Sequence, residues 1–415
     1  MIKFVKIERS VMFDLDLFIA KYVTRRNESL FGQDLESAHD LISRRVSGKR
    51  VCVIGGAGSI GSQFIKALLP FRPSSLVVVD INENGLTELT RDLRSSCGMY
   101  VPEDYRTYPI DFAGGVFERI FKDAGGFDIV ANFSAHKHVR SEKDKYSVEA
   151  LLENNLIKAR TLLDLLSSMP PERFFCVSTD KAANPVNVMG ASKRVMEDLI
   201  MSYKDAFTVT TARFANVAFS NGSLLDGFLS RLAKKQPLAA PNDVKRYFVS
   251  PQESGQICLM ACVLGNTGEV FFPKLEEESM MTFSSICDSF LEAHGLEKLE
   301  FESDEEAREY ASGPLLEGDG RYYPVVYSGS ETTGEKPYEE FYVEGEDVDL
   351  ERFASLGVIT GSPRKSRTEV IALLDDLERI FSEPGFTKKE VVDCLGRYLP
   401  NFKHEETGRN LDQKM

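Results

Sequence analysis

From Lys49 onward, short apolar runs rich in β-branched residues alternate with amphipathic stretches of helical period. RVCVI (50–54) leads through a glycine-rich turn into a helical stretch ending near Leu69, and SLVVVD (75–80) leads into another over about 84–94. YRTYPID (105–111) precedes a helix near 115–123, FDIVANF (127–133) a long one near 147–168, and RFFCVS (173–178) closes the series. These runs are mostly apolar throughout rather than alternating, as strands covered on both faces must be, and helix-length connections join them, as parallel neighbours require. The pattern predicts an α/β fold built on a doubly wound parallel sheet. After Phe207 the order loosens. TVTTARFANV reads as a sixth strand, and later segments mix short strands with helices, which suits a smaller mixed α/β lobe facing the strand ends. The expected division is a helical N-terminal extension (1–47), the strand–helix domain (48–212), a mainly substrate-binding lobe (213–345) with scope to return strands to the main sheet, and a helical C-terminal extension (346–415). In the last, TEVIALLDDLERIF and KKEVVDCLGRYL are amphipathic runs. No Gly/Ser- or Pro-rich linker separates these parts, so one compact body is expected.

Composition narrows the partners. The 415 residues carry a formal net charge of −14, which argues against a general nucleic-acid or anionic-membrane binder, although a few cations in a cleft suffice for an anionic small ligand. No apolar run approaches the roughly 18 residues of a membrane helix. The first residues carry acids within their apolar part and no small-residue cleavage site, so no membrane insertion or export is expected and a cytoplasmic setting is. Seven scattered cysteines read as free thiols in a reducing compartment. Cys258 and Cys262 would share a helix face, but no further ligands accompany them, and no metal is expected.

The turn after the first strand reads Gly55-Gly-Ala-Gly58-Ser59-Ile60-Gly61. Glycine in that pattern allows a tight turn, close approach of backbone N–H groups to a pyrophosphate, and close packing of helix on strand; the helix start adds partial positive charge. Asp80, 19 residues after Gly61 at the end of the second strand, is suited to both adenosine ribose hydroxyls and would repel a 2′-phosphate. NAD is therefore expected over NADP, in a Rossmann-type domain, with Asp111 as a candidate adenine contact.

Directly after the fifth strand, STDKAANPVNVMGASK (178–193) sets a hydroxyl, a carboxyl and an amine side by side as Thr179, Asp180 and Lys181. Met189 and Lys193 stand four apart, hence on one helix face. That pair resembles the YxxxK pair of the short-chain dehydrogenase/reductase superfamily, with methionine where the catalytic tyrosine would stand. Lys193 remains available to the nicotinamide ribose, while Met189 offers no useful proton chemistry. Sugar-nucleotide 4,6-dehydratases need proton transfer at the C4 hydroxyl, at C5 and at the C6 hydroxyl, besides hydride transfer. The three side chains are of the needed types, provided that Lys181 is partly neutral and Asp180 partly protonated. The expected roles are Thr179 at the C4 hydroxyl, Lys181 as C5 base and Asp180 as C6 acid.

This stretch, as STDKAANPVNVMGASKR, resembles the UDP-N-acetylglucosamine 4,6-dehydratases of the extended short-chain superfamily, and the likeness runs over roughly 48–345. The resemblance implies NAD, a UDP-N-acetylglucosamine or closely related UDP-sugar substrate, and a place in bacterial surface-glycan or nonulosonic acid synthesis. NFSAHKHVRSE (132–142) resembles AAxKHVPxxE, with Arg140 replacing proline, and implies Lys137 and His138 near the substrate. Asn155 in ENNLIKA matches an architectural asparagine. RFANVAFSNGS (213–223) implies Asn216 and Ser223 beside the sugar diphosphate, and KRYFVSPQES (245–254) implies Arg246 as a pyrophosphate clamp. GEVFFPK (268–274) implies Lys274 near the nucleotide. TTGEKPYEEF (332–341) implies Glu335 at the uridine ribose, with Thr332 in place of an arginine. Long relatives carry membrane helices that are not carried over to this chain. A homo-oligomer, dimer or larger, is expected. The competing readings are a UDP-sugar 4-epimerase and a non-catalytic NAD-binding regulatory protein.

Overall fold

The computed structural model describes residues 13–137, 142–313, 321–329, 339–402 and 404. Its frame is set by six strands, β1 (Arg50–Ile54), β2 (Ser75–Asp80), β3 (Asp104–Pro109), β4 (Ile129–Asn132), β5 (Arg173–Val177) and β6 (Thr208–Ala212). They are followed by β7 (Asn216–Val217), β8 (Leu238–Pro241), β9 (Lys245–Arg246), β10 (Phe248–Val249), β11 (Val270–Pro273), β12 (Met281–Thr282), β13 (Glu297–Phe301), β14 (Tyr322–Ser328), β15 (Asp347–Asp349) and β16 (Leu356–Gly361). The main sheet has nine strands in the order β15-β16-β11-β6-β5-β4-β1-β2-β3. All neighbours from β11 to β3 pair in parallel, and β16 and β15 close the edge antiparallel.

Strand geometry sends successive side chains to opposite faces, and both faces here are apolar. Cys52, Ile54, Val77 and Phe174 pack into one helical layer, whereas Val51, Val53, Val78 and Phe175 pack into the other. After the short α1 (Leu15–Phe18), the helices are α2 (Gly32–Val46), α3 (Ser59–Leu68), α4 (Glu83–Ser95), α5 (Gly115–Asp123), α6 (Lys145–Leu152), α7 (Lys158–Ser168) and α8 (Val188–Met201). Beyond these lie α9 (Leu224–Ala233), α10 (Pro251–Leu264), α11 (Phe283–Ala293) and α12 (Asp304–Ser312). Helices α5 to α8 cover the first face; α2, α3, α4 and α10 cover the second. The pair Arg367–Ser382 and Lys388–Tyr398 adds Leu374, Leu377, Val391 and Leu395 to the first core, against α8.

The smaller lobe has its own core. Phe228, Phe290, Leu238 and Val325 from α9, α11, β8 and β14 close around Phe18, Ile19 and Val23 of the N-terminal segment. That segment is thus part of the lobe, while α2 packs on α10 at the back of the sheet.

The stretch from Glu346 is a point of difference. Helical structure is expected there, but the chain first forms β15 and β16, which pair with the open edge at β11. The apolar run of LGVITG is six residues long and β-branched, too short for a helix turn pattern to dominate and well suited to an uncovered strand edge. Helix begins only at Arg367.

Candidate active site

The strand order reverses between β1 and β4, and open α/β sheets bind ligands in the crevice outside the carboxyl ends at such a point. On one side lies the glycine turn. Gly55 has φ 72°, and a Cβ there would sit 2.6 Å from the Ser134 backbone nitrogen. A Cβ on Gly61 would lie 2.4 Å from the Gly55 carbonyl oxygen. Gly58 is the N-cap of α3 and brings no side chain to the first-turn N–H groups of Ser59, Ile60 and Gly61. A helix start of this kind, with its partial positive charge, fits an anion. The Ser59 hydroxyl accepts a hydrogen bond from the Asn221 N–H (2.8 Å), which joins the lobe to this turn.

Asp80 braces the same turn. Its carboxylate accepts from the Ala57 N–H at 3.0 Å and from the Asn82 N–H at 2.9 Å. Two carboxylate oxygens offer about four lone-pair sites, so capacity remains for ribose hydroxyls. Asp111 is engaged in an ion pair with Lys158 of α7 and accepts from the Ala113 N–H at 2.9 Å. Partial burial pushes its carboxyl up, but the two hydrogen bonds outweigh this and hold it below its ordinary value.

The chemistry-bearing turn follows β5. Thr179 is extended, and Asp180–Ala182 form one 3-10 turn. The Thr179 hydroxyl donates to Asp180 Oδ1 at 2.6 Å, and Lys181 Nζ stands 3.4 Å from both Asp180 oxygens. Asp180 is buried and Lys181 partly exposed. Behind the turn, α8 carries Met189 and Lys193, both buried. Lys193 Nζ donates to the Val177 carbonyl at 3.0 Å, and burial lowers its ammonium below the usual lysine range, with Glu197 opposing.

From the lobe, Asn216 on β7 and Arg246 on β9 meet a residue that the sequence reading passed over, Glu339. Its Oε1 accepts from Asn216 Nδ2 at 2.5 Å and lies 3.9 Å from Arg246 Nε, while its Oε2 accepts from the Tyr247 N–H at 3.0 Å. Burial first, and then the nearby Asp180 carboxylate, push the Glu339 carboxyl up to about 8. Lys181 moves the other way from expectation. Burial would lower its ammonium, but Asp180 and Glu339 together raise it above the ordinary value. The group poised to hold an extra proton near neutrality is therefore Glu339, and Lys181 is held charged. In the sequence the only signal for Glu339 is its place in YEEF, four residues after Glu335.

Lys137 lies near the start of α9, where partial burial lowers its ammonium against the pull of Asp226. The loop before it is fixed by Asn155, in a π-helical turn between α6 and α7. Asn155 accepts from the His136 N–H (2.9 Å), and its amide donates to the His136 carbonyl (3.0 Å). Ser223 is the N-cap of α9, accepting from the Asp226 N–H. Lys274 donates to the carbonyls of Leu350 and Phe353, both at 2.7 Å, and so straps the β15–β16 connection. His138 and Glu335 lie outside the described residues, as do Arg140 and Thr332.

Below the turn is a buried charge cluster that sequence reasoning also missed. Arg213, fully buried, donates to both oxygens of Glu197 (2.8 and 2.7 Å) and to both of Glu346 (2.9 Å each). Glu197 also accepts from the Ser178 hydroxyl at 2.7 Å. Burial would raise the Glu197 carboxyl, but Arg213 holds it far below the carboxylate range.

A reversed strand order and a glycine turn that opens a helix define a doubly wound, Rossmann-type α/β fold. The structure of the dTDP-glucose 4,6-dehydratase DesIV from Streptomyces venezuelae shares that fold, at 18% sequence identity and a TM-score of 0.51 over 80% of this chain and 97% of that one. Within the fold, the chain belongs to the polysaccharide biosynthesis protein family, whose profile matches residues 51–359. It is 35% identical over 242 residues to an uncharacterized membrane protein of Methanocaldococcus jannaschii, covering 56% of this chain and 69% of that protein. It is 26% identical over 239 residues to a UDP-N-acetylglucosamine 4,6-dehydratase (inverting) of Campylobacter jejuni, covering 55% of this chain and 68% of that protein. The match spans 41% and 38% of the length of two longer curated relatives. Among the described residues, no helix is long and apolar enough to cross a membrane.

Proposed function

We propose that this chain catalyses the NAD-dependent 4,6-dehydration of UDP-N-acetylglucosamine to a UDP-4-keto-6-deoxy-N-acetylhexosamine, in the synthesis of a bacterial surface glycan or a nonulosonic acid. The observation that carries the reading is the Thr179–Asp180–Lys181 turn at the end of β5, packed against α8, on which Met189 is buried. Elimination of water across C5 and C6 needs a base and an acid, and this turn places an amine and a carboxyl side by side. The similarity to a Campylobacter jejuni dehydratase supports it.

Gly55, Gly58, Ser59, Ile60 and Gly61 would hold the pyrophosphate of NAD, Asp80 its adenosine ribose and Lys193 its nicotinamide ribose. Bound there, NAD supplies the acceptance of hydride from C4 and its return to C6. The protein moves the protons. Thr179 already donates its own proton to Asp180, so its oxygen lone pairs are free to accept the C4 hydroxyl and pass that proton on through Asp180. Lys181 removes the C5 proton once the C4 ketone has acidified it. For this it must first release a proton from its charged resting form, and Glu339 in its ionised form is the neighbouring carboxyl that would take it. Asp180 protonates the C6 hydroxyl as it leaves as water, and Lys181 returns a proton to C5. Two protons leave the sugar and two come back. Asn216 and Arg246 would bind the diphosphate.

Asp180→Asn and Lys181→Ala test the assignment. Each should lower turnover by about 100-fold or more, as loss of a general acid or base does, while NAD affinity in a titration stays unchanged. Full turnover in both variants would refute it.

A further inference from the structure

The candidate site rests on a part of the chain that lies beyond residues 51–359, the family's matched region. Two separate grips connect that part to the catalytic stretch. The first reaches the Ser178 end. Arg364 Nη1 donates to Glu197 Oε2 (3.1 Å) and Asp198 Oδ1 (3.2 Å), and the Tyr398 hydroxyl donates to Asp198 Oδ2 (3.2 Å). Glu197 in turn holds the Ser178 hydroxyl, one residue before Thr179, and sits in the field of Lys193. The second grip reaches the Met189 end. Glu142 Oε1 accepts the Met189 N–H in the first turn of α8 at 2.9 Å. Lys388 Nζ donates to the Glu142 carbonyl at 2.6 Å, and His404 Nε2 lies 3.5 Å from Glu142 Oε2. Both Glu142 and the His404 side chain are buried.

The physical consequence is specific. Thr179 is extended and leads into the single 3-10 turn Asp180–Ala182, which has few hydrogen bonds of its own and lies between a strand end and a helix start. A turn of that kind is positioned by whatever fixes its two ends. Here one end is fixed through a buried, charge-assisted bond to Glu197 and the other through a carboxylate on the first turn of α8. Residues 364–404 contribute a cation or hydroxyl to each arrangement.

We propose that the C-terminal segment, Arg364 through His404, is a positioning element of the candidate active site, holding the Thr179–Lys181 turn through Glu197 at one end and Glu142 at the other. This deepens the dehydratase reading and rests on it for its kinetic consequence, but its structural content stands apart. Arg364, Lys388, Tyr398 and His404 touch no reacting atom. They act through Glu197, Asp198 and Glu142.

The test uses the full chain, with Arg364→Gln and Lys388→Met made separately and Arg364→Lys as the conservative control. Amide hydrogen exchange should show loss of protection across 177–181 in Arg364→Gln and at Met189 and its neighbours in Lys388→Met, with β1 to β3 unchanged. In the same samples, kcat for UDP-N-acetylglucosamine dehydration should fall about 10- to 100-fold, the penalty of small misplacement, with KM little changed and partial recovery in Arg364→Lys. Transient build-up of reduced nicotinamide absorbance should accompany the loss, because C4 oxidation outruns elimination when the turn is misplaced. Unchanged protection in 177–193 in both variants, or a uniform rise along the whole chain in Lys388→Met, overturns the proposal. A wild-type protein inert toward UDP-N-acetylglucosamine refutes the dehydratase reading instead, and hydrogen exchange then decides the positioning role alone.

Discussion

Glu339 is a buried carboxyl whose ordinary value of 4.5 rises to about 8, through burial and through Asp180 beside it. A carboxyl that is neutral in the fold and charged in the unfolded chain makes stability depend on pH. The folded value is the higher one, so this group's contribution is complete below about 4.5 and is lost as pH rises through about 8. Glu339→Gln should therefore flatten the decline in urea-unfolding stability over that window. An unchanged decline would mean that the proton resides elsewhere in the cluster. Glu339 was not legible in the sequence because its importance comes from facing Asn216, Arg246 and Asp180, which are far away along the chain. Thr179, Asp180 and Lys181 were legible because they are adjacent. Their protonation was not, since it depends on a group of three, Asp180, Lys181 and Glu339, whose last member reaches the turn from across the lobe boundary.

At the scale of elements, the glycine turn is the part whose local rule and tertiary role agree. Gly61→Ala would drive a Cβ to 2.4 Å from a backbone oxygen that cannot rotate away. It should cost about 1–3 kcal/mol in thermal or urea unfolding and abolish the shift in melting temperature on adding NAD. A variant with wild-type stability and NAD response would show that the turn has room to move. The parallel strands β1 to β6 were readable because each is a continuous apolar run followed by a helix. The β15–β16 pair was not, because a short apolar stretch becomes a strand only when an open edge awaits it, and β11 provides that edge. The π-helical turn at 153–157 was hidden inside a long helical pattern, although its Asn155 was already marked as architectural.

For the whole molecule, the first core and the site share one buried charge cluster. Arg213 connects Glu197, under the Thr179–Lys181 turn, to Glu346 at the start of the edge hairpin, so the sheet edge and the candidate site are joined through one buried cation. Arg213→Met would leave two buried carboxylates without their partner and should cost about 3–5 kcal/mol in urea unfolding. Arg194 lies 3.6 Å from a carboxylate oxygen of both Glu197 and Glu346, and a loss below about 1 kcal/mol would show that it and Arg364 can take over. This dependence could not be read from the chain, where Arg213 is one cation after an apolar strand and Glu346 lies in a polar stretch. The architecture in outline was readable, since doubly wound sheets follow from strand–helix alternation, whereas the terminal segments took their places through tertiary packing. The N-terminal residues joined the lobe core, and the C-terminal pair joined the site's support.

The proposed chemistry of the turn after β5 is a dehydration rather than an epimerisation. Incubating the protein with UDP-N-acetylglucosamine in D₂O and following the sugar by NMR tests it most directly. The predicted product has a C4 ketone and a C6 methyl group, carries deuterium at C5 from solvent, and forms with no net reduction of NAD. Formation of UDP-N-acetylgalactosamine with C5 still protonated, or an unchanged substrate spectrum, would rule out dehydration of this substrate.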